Sequence, residues 1–280
     1  YVLHRDHGYV GGSGWHRPYF VKSNINSLNN GNKLPVVFSI NCHTGEFLLS
    51  ECFAERFLRK RNGGAVGVIA AAYYSYSGLN DAFTLGLFDA IWANPGLIPN
   101  FTGSGGIPNP VLSPHGDIFT MGDVMNQGLI RMAETWGQDV YTHELFHYFG
   151  DPAMKIWTAQ PIQITVNHID TIPCGSTSIS ITGCNCSDAV ASLIYNDELI
   201  GTTELIGGAG TITFSDTIND PLLSSTLTVS GHNYVPYIVE IPTGSCDIPP
   251  VADFLASDTI ATIWGNYQSV DTFTNFSTHN

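Results

Sequence analysis

Residues 34–58 read L-P-V-V-F-S-I-N-C-H-T-G-E-F-L-L-S-E-C-F-A-E-R-F-L, and the first half of the chain is understood from them. Residues 34–40 are a short apolar run with β-branched side chains, the pattern of a buried strand. From Phe47 the period changes. Phe47, Leu48, Cys52, Phe53, Phe57 and Leu58 fall at helical spacing in a segment running to Arg61. Arg59, Lys60 and Arg61 complement the negative end of its dipole, and Gly63 and Gly64 stop it. Working outward, residues 65–72 form a second apolar strand, Asn80 can cap a helix to Trp92, residues 93–117 are a Pro/Gly-rich loop, and residues 121–136 are another amphipathic helix. Strand, helix, strand, helix predicts an α/β layer structure with a largely parallel sheet over residues 1–159.

From Pro161 the period becomes two. Residues 163–166, 177–182, 190–195, 211–214, 226–230 and 235–241 are alternating runs separated by Gly, Pro, Asn and Asp. That spacing predicts an all-β, immunoglobulin-like sandwich over residues 160–247. After Ile248-Pro249-Pro250, the order P-V-A-D-F-L-A-S then F-T-N-F-S-T resembles the opening of a polycystic-kidney-disease (PKD) repeat, cut off over residues 248–280.

Charge and cysteines divide at the same boundary. Residues 1–159 hold all ten Lys and Arg with twelve acids, whereas residues 160–280 hold twelve acids and no cation. A chain of net charge −14 cannot present the basic face that a phosphate backbone requires, so nucleic acid is excluded as a partner. A hydrophobic content of 43% fills sizeable cores and excludes global disorder, and no apolar run reaches the ~18 residues of a membrane span. Cys174, Cys184, Cys186 and Cys246 all lie in the acidic β-rich segment. They read as two disulfides in an oxidising compartment, with three pairings open. Tyr1 begins within an apparent strand and Asn280 follows no terminating signal, so the chain reads as an internal fragment.

The chemistry concentrates at His7-Gly8 and Cys42. In open parallel sheets, reactive groups gather at the carboxyl ends of strands, and Cys42 lies two residues past the run ending at Ile40. A thiolate is a strong nucleophile, and an imidazole within reach takes its proton and later protonates the leaving amine. Gly8 lets a backbone N–H approach a developing oxyanion, and the Cys42 N–H supplies a second donor. The competing reading of any such cysteine is an inert buried thiol.

Four blocks in this order, D-H-G-Y-V-G-G-S-G-W, S-I-N-C-H-T-G-E-F-L-L-S-E-C-F-A-E-R-F, G-A-V-G-V-I-A-A-A-Y-Y-S-Y and Y-F-G-D-P-A-M-K-I-W-T, resemble the gingipain-type cysteine peptidases across residues 1–160. The resemblance implies a three-layer caspase-like α/β fold, His7 as catalytic histidine, Cys42 as nucleophile and an immunoglobulin-like domain next in order. It puts Tyr76 and Ser77 where the family lines its P1 pocket and matches Cys52 to a family position, although Cys52, on the helix after the strand, reads as a core residue. It further implies that a first subdomain and the acid assisting the histidine precede Tyr1. The acid that recognises a basic P1 residue precedes the histidine too, so no Arg or Lys preference is carried to this chain. His4 and His43 compete with His7 for the base. Export through a type IX secretion system and attachment to the cell surface through a domain beyond Asn280 are also implied.

A second constellation is His143-Glu144-Leu145-Phe146-His147, a literal H-E-x-x-H. On one helix, its two histidines would bind zinc with Glu144 as general base. The third ligand of the metzincin pattern falls at Ala153, and Pro152 breaks the helix needed to carry it. Asp253 and Asp258 could hold a structural calcium, although isolated acids in a sandwich are usually solvated surface. The sequence is thus read as a secreted cysteine endopeptidase acting on proteins or peptides, with no metal or other cofactor needed for catalysis. A zinc peptidase and a catalytically inactive adhesive surface protein are the alternatives.

Overall fold

In a computed structural model, residues 1–94, 96–97, 110–186, 188–246, 254–256 and 273–275 are described. The chain divides into two compact units, Tyr1–Pro161 and Ile162–Asn280.

The first unit runs Val2–His4 (β1), Gly14–Trp15 (β2), Phe20–Val21 (β3), Lys22–Asn26 (α1), Val36–Ser39 (β4), Phe53–Arg59 (α2), Gly67–Ala71 (β5), Ser77–Ile91 (α3), Met121–Trp136 (α4), Val140–Leu145 (α5) and Phe146–Phe149 (β6). Its main sheet has the order β1-β4-β5-β6. Strands β1, β4 and β5 are parallel, as the sequence pattern predicts, and β6 is antiparallel. The register explains β6: Ala71, the last residue of β5, faces Phe146, the first of β6, so the chain re-enters the sheet at the end it left.

Alternate residues of the central strands feed two separate cores. Val36, Phe38, Ile69 and Ala71 pack with Phe83, Leu87 and Ile91 of α3 and Val124 and Met132 of α4. Val37, Val68 and Ala70 pack with Phe53, Ala54 and Phe57 of α2, with Ile25 of α1 and with Trp15. Helices therefore cover both faces of the sheet. This is why the strands read as unbroken apolar runs rather than alternating ones.

Two helices start elsewhere than the sequence reading puts them. Helix α2 begins at Phe53, because the Glu55 carboxylate accepts the Cys52 N–H (2.7 Å) and closes the first turn there. Phe47 and Leu48 precede it in turns, 48% and 89% exposed, so their helical spacing was coincidental. Helix α3 begins at Ser77, which puts Asn80 inside its first turn and 2% exposed rather than at a cap.

The second unit contains Ile162–Gln163 (β7), Ser176–Ile181 (β8), Asp188–Tyr195 (β9), Glu198–Ile206 (β10), Gly210–Ile218 (β11), Ser224–Ser230 (β12), Tyr234–Val235 (β13) and Tyr237–Pro242 (β14). An antiparallel sheet β10-β9-β12-β14 and a pair β11-β8 share one core around Ile179, Ile181, Ala191, Leu193, Ile212, Leu227 and Val229. Strand β10 went unread in the sequence. It follows β9 through Asn196 and Asp197, both at positive φ (49° and 61°), in a two-residue hairpin turn whose twist suits the flanking strands. The cysteines pair Cys174–Cys246 and Cys184–Cys186. Phe254–Ala256 (β15) and Phe273–Asn275 (β16) form an antiparallel pair. The rest of the PKD-like segment, with Asp253 and Asp258, lies outside the described residues.

Candidate active site

His4 at the end of β1 is directly opposite Ser39 at the end of β4, and the strands are parallel. His7 and Cys42 each lie three residues beyond that pair, so their loops leave the same edge of the sheet. Ser39 also faces Ala70 of β5, which sends the loop 72–76 out at the same edge.

Beneath the loops is a buried polar web. Asn41 Nδ2 donates to His4 Nδ1 (2.8 Å) and Ser39 Oγ (3.0 Å), and Thr44 Oγ1 donates to Asn41 Oδ1 (2.8 Å). Trp15 Nε1 donates to Ser39 Oγ (2.8 Å). With Nδ1 accepting, His4 carries its proton on Nε2 and donates it to the Arg17 carbonyl (2.9 Å). The ring stacks on Trp15 at 4.5 Å, and burial lowers its pKa below the usual 6.5. Both nitrogens of His4 are thus committed to structure.

His43 is also held in place. Its Nδ1 bonds the Glu46 carboxylate (2.9 Å), and its ring packs edge-on against Tyr73 and Tyr74. Its φ of +62° turns the chain immediately after Cys42, a backbone state that costs energy in most non-glycine residues. His7 differs from both: its side chain is 80% exposed, with Nε2 3.9 Å from Asp6 Oδ1.

Gly8 lies against the Cys42 backbone. A Cβ placed on it would collide with the Cys42 carbonyl oxygen and sit 2.7 Å from Asn41 Oδ1, so only glycine allows this approach. The structure therefore brings Gly8 to Cys42. The Cys42 thiol is free and half-buried, and its sulphur contacts Ser75 three times: the Ser75 N–H donates to it (3.4 Å), the Ser75 carbonyl accepts from it (3.6 Å), and Ser75 Oγ lies at 3.9 Å. Cys52, at the N-cap of α2, is buried, and burial pushes its thiol up to about 11.

Tyr76 caps α3 and Ser77 opens it. Arg5 Nη2 donates to the Ser77 carbonyl (2.9 Å) and Ser77 Oγ (3.0 Å), and Arg5 Nε donates to Asp81 (2.8 Å). The start of α3 is thereby tied to the segment that carries His7. The exposed Tyr76 ring lies 5.9 Å from that of Tyr141, whose hydroxyl donates to the Tyr74 carbonyl (3.0 Å). Sequence reasoning missed Ser75 and Tyr141. The strand-end rule that selected Cys42 also covers the Y-Y-S-Y after β5, which was the available signal for Ser75.

The H-E-x-x-H stretch is split between two elements. Helix α5 ends at Leu145, and His147 lies in β6 opposite Ala70. His143 Nδ1 bonds the Asp139 carbonyl (2.7 Å), and the His147 ring packs edge-on against Phe47 at 5.0 Å. The single helix face that the zinc reading requires is absent, because pairing with β5 draws residues 146–149 into the sheet. Two hollows elsewhere in this unit, of about 450 Å³ beside Tyr1 and Val36 and about 400 Å³ beside Val2 and Phe57, are lined by neither His7 nor Cys42.

Residues 1–157 match the family model described as Peptidase family C25. The chain belongs to peptidase family C25. It is 26% identical over 251 residues to gingipain R2 of Porphyromonas gingivalis, covering 88% of this chain and 32% of that protein. To gingipain R1 of the same organism it is 26% identical over 279 residues, covering 97% of this chain and 26% of the relative. The chain thus spans about a third or less of these relatives. Among solved structures, the Arg-specific cysteine proteinase gingipain R superposes with a TM-score of 0.68 at 24% identity, over 87% of this chain and 52% of that one. A complex of gingipain pro- and mature domains gives 0.67 at 24% identity, over 86% and 53%. The α/β layers of the C25 unit accordingly have the caspase-like fold of these structures.

Proposed function

We propose that the C25 unit carries the nucleophile and base of a cysteine endopeptidase. Cys42 attacks the scissile carbonyl, and the Gly8 and Cys42 amides receive the oxyanion. His7 takes the thiol proton and returns it to the leaving amine, and water then hydrolyses the thioester. The observation that carries this reading is the placement of a free thiol at the carboxyl edge of a parallel sheet, with the backbone of Gly8 against it and His7 leaving the same edge. The engagement of both His4 nitrogens and the Glu46 partner of His43 favour His7 as base. Tyr76 and Ser77 would face the P1 side chain, and the substrates are proteins or peptides.

The same proposal extends to the second unit as an immunoglobulin-like domain, followed by a PKD-like repeat that could hold calcium through Asp253 and Asp258. The Cys174–Cys246 and Cys184–Cys186 disulfides support a secreted or cell-surface protein. Type IX export and attachment through a domain beyond Asn280 complete it. A peptide-based thiol-directed probe on the full-length enzyme tests the central claim: it should label Cys42, and Cys42→Ala should abolish labelling and hydrolysis. Chelator-sensitive hydrolysis surviving Cys42→Ala would establish zinc chemistry instead, and neither labelling nor hydrolysis would establish an inactive surface protein.

A further inference from the structure

We infer that Ser75, held in place by Asn80, supports the Cys42 sulphur as it changes from thiol to thiolate; this rests on the peptidase reading above. Ser75 presents an acceptor and donors to one sulphur atom. Its carbonyl accepts the thiol hydrogen at 3.6 Å, while its N–H points to the sulphur at 3.4 Å. When the proton leaves for His7, the carbonyl loses its partner and the N–H remains, now facing a negative charge. Donors to the charged form favour that form.

The hydroxyl adds a second donor because of Asn80. Asn80 Nδ2 donates to Ser75 Oγ (2.8 Å), so a lone pair of that oxygen is occupied and its own hydrogen is directed elsewhere. The sulphur, 3.9 Å from Oγ in the resting geometry, is the partner that gains most from it once charged.

Packing does not account for Asn80. It is 2% exposed on α3, whose buried positions include Ala82, Phe83, Leu87, Ala90 and Ile91. Among the described residues its Oδ1 is buried with no hydrogen-bond partner. A buried amide with half its capacity unused costs stability that an apolar side chain of similar volume would not. What Asn80 provides in return is the bond to Ser75, from a helix position fixed by its own N–H to the Tyr76 carbonyl (2.9 Å) and by Thr84 Oγ1 on its carbonyl (2.8 Å). Ser75 thus touches the reacting atom, and Asn80 is a positioning residue acting through it.

The test uses the full-length enzyme with Ser75→Ala, Ser75→Thr, Asn80→Leu, the Ser75→Ala/Asn80→Leu double variant and Cys42→Ala. Peptide hydrolysis and iodoacetamide alkylation of Cys42 at pH 6 and pH 9 are measured. Ser75→Ala should lower kcat about tenfold with KM within about twofold, the signature of a lost donor to charge. Alkylation should slow about tenfold at pH 6 and by clearly less at pH 9. Ser75→Thr should restore both. Asn80→Leu should give the same pattern at about threefold, and the double variant should be no worse than Ser75→Ala, because Asn80 acts only through the hydroxyl. Unchanged kcat in Ser75→Ala, equal slowing at both pH values, or fully additive losses would overturn the inference. Ser75 is in a loop, so its variants decide the matter even where Asn80→Leu folds poorly. Hydrolysis that survives Cys42→Ala would instead refute the peptidase reading itself.

Discussion

The approach of Gly8 to the nucleophile loop makes a sharp prediction for Gly8→Ala. The new methyl carbon would collide with the Cys42 carbonyl oxygen and stand 2.7 Å from Asn41 Oδ1, where ordinary contact begins near 3.4 Å. Asn41 cannot swing aside, because it is fully buried and bonded to His4, Ser39 and Thr44. The loop bearing His7 must therefore retreat from Cys42 by at least ~0.7 Å on the Asn41 contact, and by more on the carbonyl. A displacement of about 1 Å between reacting groups can cost on the order of 100-fold in rate, whereas overpacking costs roughly 1–3 kcal/mol of stability. The expected result is a kcat about two orders of magnitude lower in a protein that still melts cooperatively. Gly116→Ala is the control, since a methyl group there meets nothing within 4 Å and φ is not positive. Steady-state hydrolysis by the full-length enzyme, with circular dichroism for folding, reads both effects. A folded Gly8→Ala enzyme with wild-type kcat would refute the claim that Gly8 and Cys42 form one site.

Alkylation at pH 8 should modify Cys42 and spare Cys52, whose thiol is pushed up to about 11 by burial; Cys52→Ala should keep most activity, and mass spectrometry of the alkylated peptides checks the first point. Burial holds the His4 and His147 imidazoles below their usual 6.5, so the unfolded chain binds more protons than the folded one as pH falls through that value. Their contribution is therefore full above about pH 6.5 and lost below it. The denaturation midpoint should drop between pH 7.5 and 5.5, and His147→Phe should flatten the drop; a flat wild-type profile would contradict this. A zinc-selective chelator should leave hydrolysis unchanged, and His147→Ala should lower the melting temperature more than kcat, because His147 sits in the sheet against Phe47. Replacing Cys174 and Cys246 by Ser should destabilise the second unit by about 4 kcal/mol on chain-entropy grounds, given their separation of 72 residues; a thermal melt unchanged from wild type would show the constraint is idle.

The sequence by itself determined what local pattern and residue chemistry can encode. The apolar runs at 34–40 and 65–72 are strands because both their faces are covered, and helix α4 spans Met121–Trp136 because its apolar stripe keeps one period throughout. The candidates Cys42 and His7-Gly8 came from local signals, a strand end and a glycine, and the approach of Gly8 to the Cys42 backbone is what the fold adds to them. Tertiary structure decided the rest. Residues 143–147 have the spacing of a zinc helix, yet 146–149 are a strand, because pairing with Gly67–Ala71 outweighs a weak local preference. Phe47 and Leu48 keep helical spacing without a helix, because they stay 48% and 89% exposed and give a helix there no buried face. Three histidines compete for the base and are equivalent in composition, and their folded surroundings separate them: Asn41 and Arg17 bond His4, Glu46 three residues on and two tyrosine rings hold His43, and the His7 side chain stays 80% exposed. Ser75 reaches the sulphur across 33 residues of sequence, a proximity set by the register of β4 on β5. No local period carries that information, because it exists only once the strands have paired.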